Sequence, residues 1–191
     1  METLSKLFGS EAKVKMMRLF LFNPETVFDT AEIAKRSNEN ATKVRKEINL
    51  LQKTNLVKHH AMRSGKNGFV LNSQFTYLLP LQNFLINIEP LHSKEIIKRI
   101  GKLGTIKLLL IAGVFIQNPE SRVDILIVGD HIKKAGLEHT IKSLESEIGK
   151  ELRYSYFTTE DFNYRNGMCD KLTRDILYYP HKTLVNKLGI L

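Results

Sequence analysis

Hydrophobic positions in the first third of the chain recur every three or four residues, the spacing of helices with one buried face. In GSEAKVKMMRLFLFNPE, the apolar residues Val14, Met17 and Leu21, with Met16 and Phe20 beside them, predict a helix. Ser10 is placed to cap it, Glu11 lies in its first turn, and Pro24 requires it to stop earlier. FDTAEIAKRS predicts a second helix from Asp29 or Thr30, with Ile33 and Ala34 facing inward. Residues 38–40, NEN, form a short polar turn. ATKVRKEINLLQKTNL then divides into two faces: Ala41, Val44, Ile48 and Leu51 make an apolar stripe, and Thr42, Lys43, Arg45, Lys46, Asn49 and Lys53 lie opposite.

The period changes after this third helix. Residues 56–62 and 69–72 read as two short strands, and Ser64-Gly65 with Asn67-Gly68 supply the backbone freedom a hairpin tip needs. Two short helical patterns follow between Pro80 and residue 101, one carrying Leu81, Phe84, Leu85 and Ile88, the other Ile96, Ile97 and Ile100. From residue 105 the pattern becomes α/β. IKLLLIAGVFI and RVDILIVGD are apolar, β-branched runs separated by a turn, QNPES. An amphipathic helix with Leu137, Ile141, Leu144 and Ile148 follows, then an aromatic strand, ELRYSYFTT, and a helical stretch, TEDFNYRNGMCDKLTRDILYY. The expected organisation is a domain over residues 1–76, a helical linker over 77–104 and a second domain over 105–191.

Charge changes the picture. The chain of 191 residues carries a net charge of +9. Residues 41–67 hold seven Lys and Arg against one acid, Glu47, a local excess of +6. A basic excess confined to one short stretch points to a polyanionic partner. The apolar run over residues 108–116 is far shorter than the roughly 20 residues of a membrane span. The first residues lack the apolar stretch of a secretory signal, and Cys169 is the only cysteine, so a reducing cytoplasm is expected. Cys169 itself reads as a small apolar side chain rather than a nucleophile.

The order helix, helix, turn, basic helix, basic hairpin resembles the winged helix-turn-helix domain of ArsR- and MarR-like regulators, over roughly the first 75 residues. The resemblance implies that the third helix enters a major groove, where Arg and Lys reach guanine and Asn reaches adenine. It also implies that Lys58, His60, Arg63 and Lys66 on the hairpin meet phosphates. Winged helices also mediate protein contacts. No cluster of Cys and His with metal-ligand spacing accompanies the pattern, and His59 and His60 are adjacent on a strand, so their rings point to opposite faces.

IAGVF, SRVDILIVGD and EIGKELRYSYFTTEDFNYR resemble a degenerate form of the small nucleotidyltransferase fold, over roughly residues 105–180. The resemblance implies a Gly-Ser pair after the first strand, Ser-Asp-x-Asp on the second and a further acid on a later one. Here Gly113 stands but Val114 replaces the polar partner. Ser121 and Asp124 match, and Arg122 occupies the first Asp position. Arg122 and Asp124, two apart on a strand, would share a face. One carboxylate beside a guanidinium is a poor seat for a divalent metal, and Glu151 is a weak third acid. Arg122 has two readings: it pairs with Asp124 or a neighbouring acid, or it meets an anionic ligand in the vestigial cleft.

The expectation is therefore an α+β or α/β protein, a winged helix-turn-helix followed by a nucleotidyltransferase-like domain. Its expected function is sequence-specific binding of double-stranded DNA in transcription regulation, as a homodimer, with no catalysis and no cofactor. A small anionic or nucleotide effector is the open partner of the second domain. An active metal-dependent nucleotidyltransferase and an antitoxin-like protein-interaction module are the alternatives.

Overall fold

A computed structural model describes residues 2–61, 67–86 and 91–190. The protein is mixed α and β, with two small sheets among the described residues. It divides into two compact units: residues 1–90 with 142–151, and residues 91–141 with 152–191.

The first unit opens with α1 (Glu2–Phe8), a helix the apolar pattern did not signal, and continues into α2 (Glu11–Phe22). Ser10 caps α2 by accepting from the Lys13 amide, and Asn23 closes it just before Pro24. The helix α3 (Thr30–Ser37) starts at Asp29 with a reciprocal capping box, Asp29 accepting from the Glu32 amide and Glu32 from the Asp29 amide. Asn38 then turns the chain with φ +53, and Asn40 caps α4 (Ala41–Lys53) by accepting from the Lys43 amide at 2.9 Å. A side chain such as Asn visits this left-handed region more readily than most, which suits a three-residue turn between helices.

The strands β1 (Val57–Ala61) and β2 (Asn67–Leu71) form an antiparallel pair, with Val57 opposite Leu71 and Ala61 opposite Asn67. Phe28, in the segment before α3, adds a short bridge to Phe69 on β2. The core gathers Met16, Phe20, Ile33, Val44, Ile48, Leu51, Leu56 and Phe69. Each large apolar side chain buried this way contributes roughly 1.5–3 kcal/mol. The helix α5 (Leu78–Leu85) buries Leu85 fully in this core and Leu81 partly, so the stripe expected there faces its own unit. Phe84 and Leu79 remain exposed, and Ile88 lies outside the described residues.

Residues 142–151 complete this unit. The guanidinium of Arg18, 3% exposed, donates from Nε to the Leu85 carbonyl and from Nη1 to the Glu147 carbonyl at 2.9 Å. Burial pulls its pKa down to about 10 against the opposing field of Glu147, so it stays a cation at neutral pH. Asn23 donates to the Gly149 carbonyl, and Arg36 pairs with Glu151. Gly149 sits at φ +88 with its α-carbon face against the Arg18 backbone, where a Cβ would lie 2.5 Å from a carbonyl carbon.

The second unit contains α6 (Ser93–Ile100), β3 (Thr105–Ile111), a 3-10 turn (Gly113–Phe115), β4 (Ile125–Asp130), the start of α7 (Lys134–Ile148), β5 (Tyr154–Phe157), α8 (Thr159–Gly167), α9 (Lys171–Tyr178) and β6 (Lys182–Asn186). Its sheet runs β5-β4-β3-β6, antiparallel except for the β4–β5 pair. The parallel pair requires a crossover, and α7 supplies it. From Leu108 to Ile111 and from Ile125 to Val128 every side chain is buried, which is why these strands read as continuous apolar runs. Leu108, Leu110, Leu126 and Val128 pack with Phe162 of α8 and Ile176 of α9.

Two sequence expectations are corrected here. IKLLLIAGVFI is a strand only to Ile111, since Gly113 breaks it at φ +55 and opens the 3-10 turn. The helical stretch after β5 is two helices, separated where Cys169 adopts φ +53 and Asp170 caps the second by accepting from the Thr173 amide.

Candidate functional site

The helix α4 places its two faces as the pattern requires, with one exchange. Val44, Ile48 and Leu51 are buried, but Ala41 is exposed and Glu47 occupies the inner side instead, 6% exposed. The Glu47 carboxylate lies 3.7 Å from the Lys13 ammonium, so its charge is opposed without a close hydrogen bond. Ala41 is the first residue of the helix, where a short side chain projects past the packed turns.

Thr42, Lys43, Arg45, Lys46, Asn49 and Lys53 are all exposed on the opposite face. They are not equivalent. Lys43 donates to Glu39 at 3.2 Å, and Glu39 also accepts from the ammonium of the buried Lys15 at 3.0 Å. Burial works to raise the Glu39 pKa, but the hydrogen bonds from Lys15 and Lys43 prevail and hold it below the usual carboxylate range. Lys15 answers in kind: burial opposes its charge, while Glu11 and Glu39 hold its pKa above the ordinary value. Arg45, Lys46, Asn49 and Lys53 have no side-chain partner among the described residues. These four form the open part of the face.

On β1, Lys58 and His60 are exposed, and the neighbouring His59 ring stands edge-on to Phe69 at 5.1 Å. Arg63 and Lys66 lie outside the described residues.

The second cluster departs from the sequence reading. β4 begins at Ile125, so Ser121, Arg122 and Asp124 belong to the segment leading into it and do not share a strand face. Asp124 is 2% exposed. Its Oδ1 accepts from the Val114 amide at 2.9 Å, and its Oδ2 accepts from the Arg153 amide at 2.8 Å with Arg153 Nε at 3.4 Å. The carboxylate thus ties the 3-10 turn after β3 to the entry of β5. Gly113 makes this arrangement sterically feasible, since any Cβ there would collide with Asp124 Oδ1. Arg122 pairs with Asp175 of α9 at 2.7 Å, so its partner is a neighbouring acid rather than Asp124. Ser121 is buried, and its Oγ has no hydrogen-bond partner among the described residues.

Sequence reading missed Arg153. Its place depends on the parallel register that sets Ile125 beside Tyr154, a tertiary relationship with no local signature. Glu151, the weak third acid of the sequence reading, instead meets Arg36 on α3. Among the described residues, no three His, Cys, Asp or Glu side chains are grouped as metal ligands, and no helix is long and apolar enough to cross a membrane. Comparison with protein-family models, with curated proteins and with solved structures finds no match to this chain.

Proposed function

We propose that the protein is a transcriptional regulator of winged helix-turn-helix type that binds double-stranded DNA through α4. The observation that carries this reading is the outer face of α4, where Arg45, Lys46, Asn49 and Lys53 stand exposed without partners among the described residues while the opposite face is locked in the core. A helix that follows a short turn and exposes three arginine or lysine side chains around an amide has the donors a major groove reads. Lys58 and His60 on the adjoining strand are suited to the neighbouring backbone phosphates.

In this reading the second unit is a degenerate nucleotidyltransferase-like domain without catalytic work. What supports this is the engagement of Asp124, whose two oxygens both serve backbone amides, and an Arg at position 122, where the motif it resembles has its first Asp. Two chains acting as a symmetric pair would read two half-sites.

Fluorescence anisotropy with labelled genomic duplexes over a series of salt concentrations tests the proposal. Four phosphate contacts would give a log–log salt slope of about −3.6. Binding absent at low salt, or unchanged by salt, refutes it. Light scattering at DNA-binding concentrations reads the expected dimer.

A further inference from the structure

We infer that the second unit holds a metal-free site for a phosphate group, in the pocket lined by Glu120, Ser121, Arg122, Arg153, Leu172 and Tyr179. The pocket is an open cleft of about 560 Å³, enough for a small phosphorylated molecule. Two guanidiniums line it, and each is held from behind through Nε, Arg122 on Asp175 and Arg153 on Asp124. Those carboxylates are themselves sheltered, Asp124 at 2% and Asp175 at 9% exposure. An arginine fixed at Nε keeps its terminal nitrogens for a second partner, and neither guanidinium has another among the described residues. This is the fork geometry that suits the oxygens of phosphate.

The third observation is independent of charge. Ser121 lines the same pocket, is 4% exposed, and its buried hydroxyl has no hydrogen-bond partner among the described residues. An unsatisfied buried hydroxyl costs a fold roughly 1–3 kcal/mol, so natural proteins seldom leave one without a use. The hydroxyl itself is buried, and a rotation toward the pocket would give it a phosphate oxygen as the missing acceptor. Leu172 and the exposed ring of Tyr179 offer an apolar flank, so the ligand class is a phosphate monoester with a planar or apolar body. Glu120, an exposed carboxylate on the lining, disfavours ligands carrying further negative charge near it.

The site lies wholly in the second unit, so its test needs no DNA and stands apart from the DNA-binding reading. Isothermal titration of the full-length chain at constant ionic strength uses inorganic phosphate in one arm and phenyl phosphate in the other, with chloride as the control anion. Saturable binding of both, tighter for phenyl phosphate, is expected. Ser121→Ala should weaken both by several-fold while leaving the urea midpoint unchanged or higher, because the lost hydroxyl had no partner. Arg122→Gln should weaken both by at least tenfold. Tyr179→Ala should lower affinity for phenyl phosphate alone. Binding of inorganic phosphate but not phenyl phosphate would keep the phosphate site and assign it to the free ion. Absence of saturable binding in both arms, or binding indifferent to Ser121→Ala and Arg122→Gln, overturns the inference.

Discussion

The carboxylate of Asp124 occupies the space that a side chain on Gly113 would need. One residue has no Cβ so that the other can turn inward, reach the Val114 amide and hold the Arg153 amide from its second oxygen. Asp124→Ala leaves two sheltered amides without acceptors, so a loss of roughly 3 kcal/mol is expected. Gly113→Ala, which must also hold a non-glycine residue at φ +55, should lose at least about 2 kcal/mol. Urea unfolding of the single variants and the double variant measures both. The double variant should cost clearly less than the two singles together, since the clash disappears with the carboxylate. Full additivity would break the link between the residues.

The exposed face of α4 contains two kinds of lysine. Lys46 has no partner among the described residues, whereas Lys43 is committed to Glu39. Lys46→Ala should therefore weaken DNA binding more than Lys43→Ala does. Arg45→Ala and Asn49→Ala should reduce discrimination between a selected duplex and a random one by about 1–3 kcal/mol. Lys58→Ala should weaken both duplexes alike. Anisotropy on the two duplexes separates these outcomes, and equal losses on both for Arg45→Ala would show that α4 does not read bases.

Acid should loosen the first unit through Glu39. Its pKa in the folded chain lies below the ordinary value near 4.3, so the unfolded chain binds its proton first as pH falls. The stabilisation is fully present above that ordinary value and is lost as pH drops through the lower, folded one. Lys15 has the opposite sign, its contribution being lost only as pH rises through its raised value. The urea midpoint of the wild type should fall between pH 5 and pH 3 more steeply than that of Glu39→Gln. Parallel curves for the two proteins would remove Glu39 from the acid response.

A fragment ending at residue 104 lacks residues 142–151 and should be destabilised. Arg18 would lose the Glu147 carbonyl, Asn23 the Gly149 carbonyl and Arg36 its partner Glu151. Arg18 is the costly loss, because a sheltered cation stripped of an acceptor is penalised by several kcal/mol when no water replaces it. Thermal unfolding by circular dichroism should place the fragment's midpoint well below that of the full chain. Arg18→Met in the fragment should recover part of the difference.

Local chemistry was the most legible part of the sequence. Ser10 as a cap, Asp29 as a helix start and Pro24 as a stop were all within reach of a short window, whereas residues 38–40 read only as a polar turn and the Asn40 cap went unread. The open face of α4 followed from spacing alone. Glu47 on the inner side did not, because its place depends on Lys13 in another helix. Arg122 and Asp124 were assigned one strand face because RVDILIV is apolar at every position but theirs, and the start of a strand is set by its neighbours' hydrogen bonds rather than by its own residues. β6 was missed for a related reason: KTLVN is short and becomes a strand only beside β3.

The bond from Arg18 to the Glu147 carbonyl joins positions 129 residues apart. Closing a loop of that length costs about 4 kcal/mol of chain entropy before the contact returns anything. During synthesis, the residues of α2 leave the ribosome long before Glu147 and Gly149 exist. The first unit must therefore wait, with Arg18 still hydrated, until three-quarters of the chain has been made. Contacts of such long range slow folding. The segment that arrives last is then what completes the part of the protein that was made first.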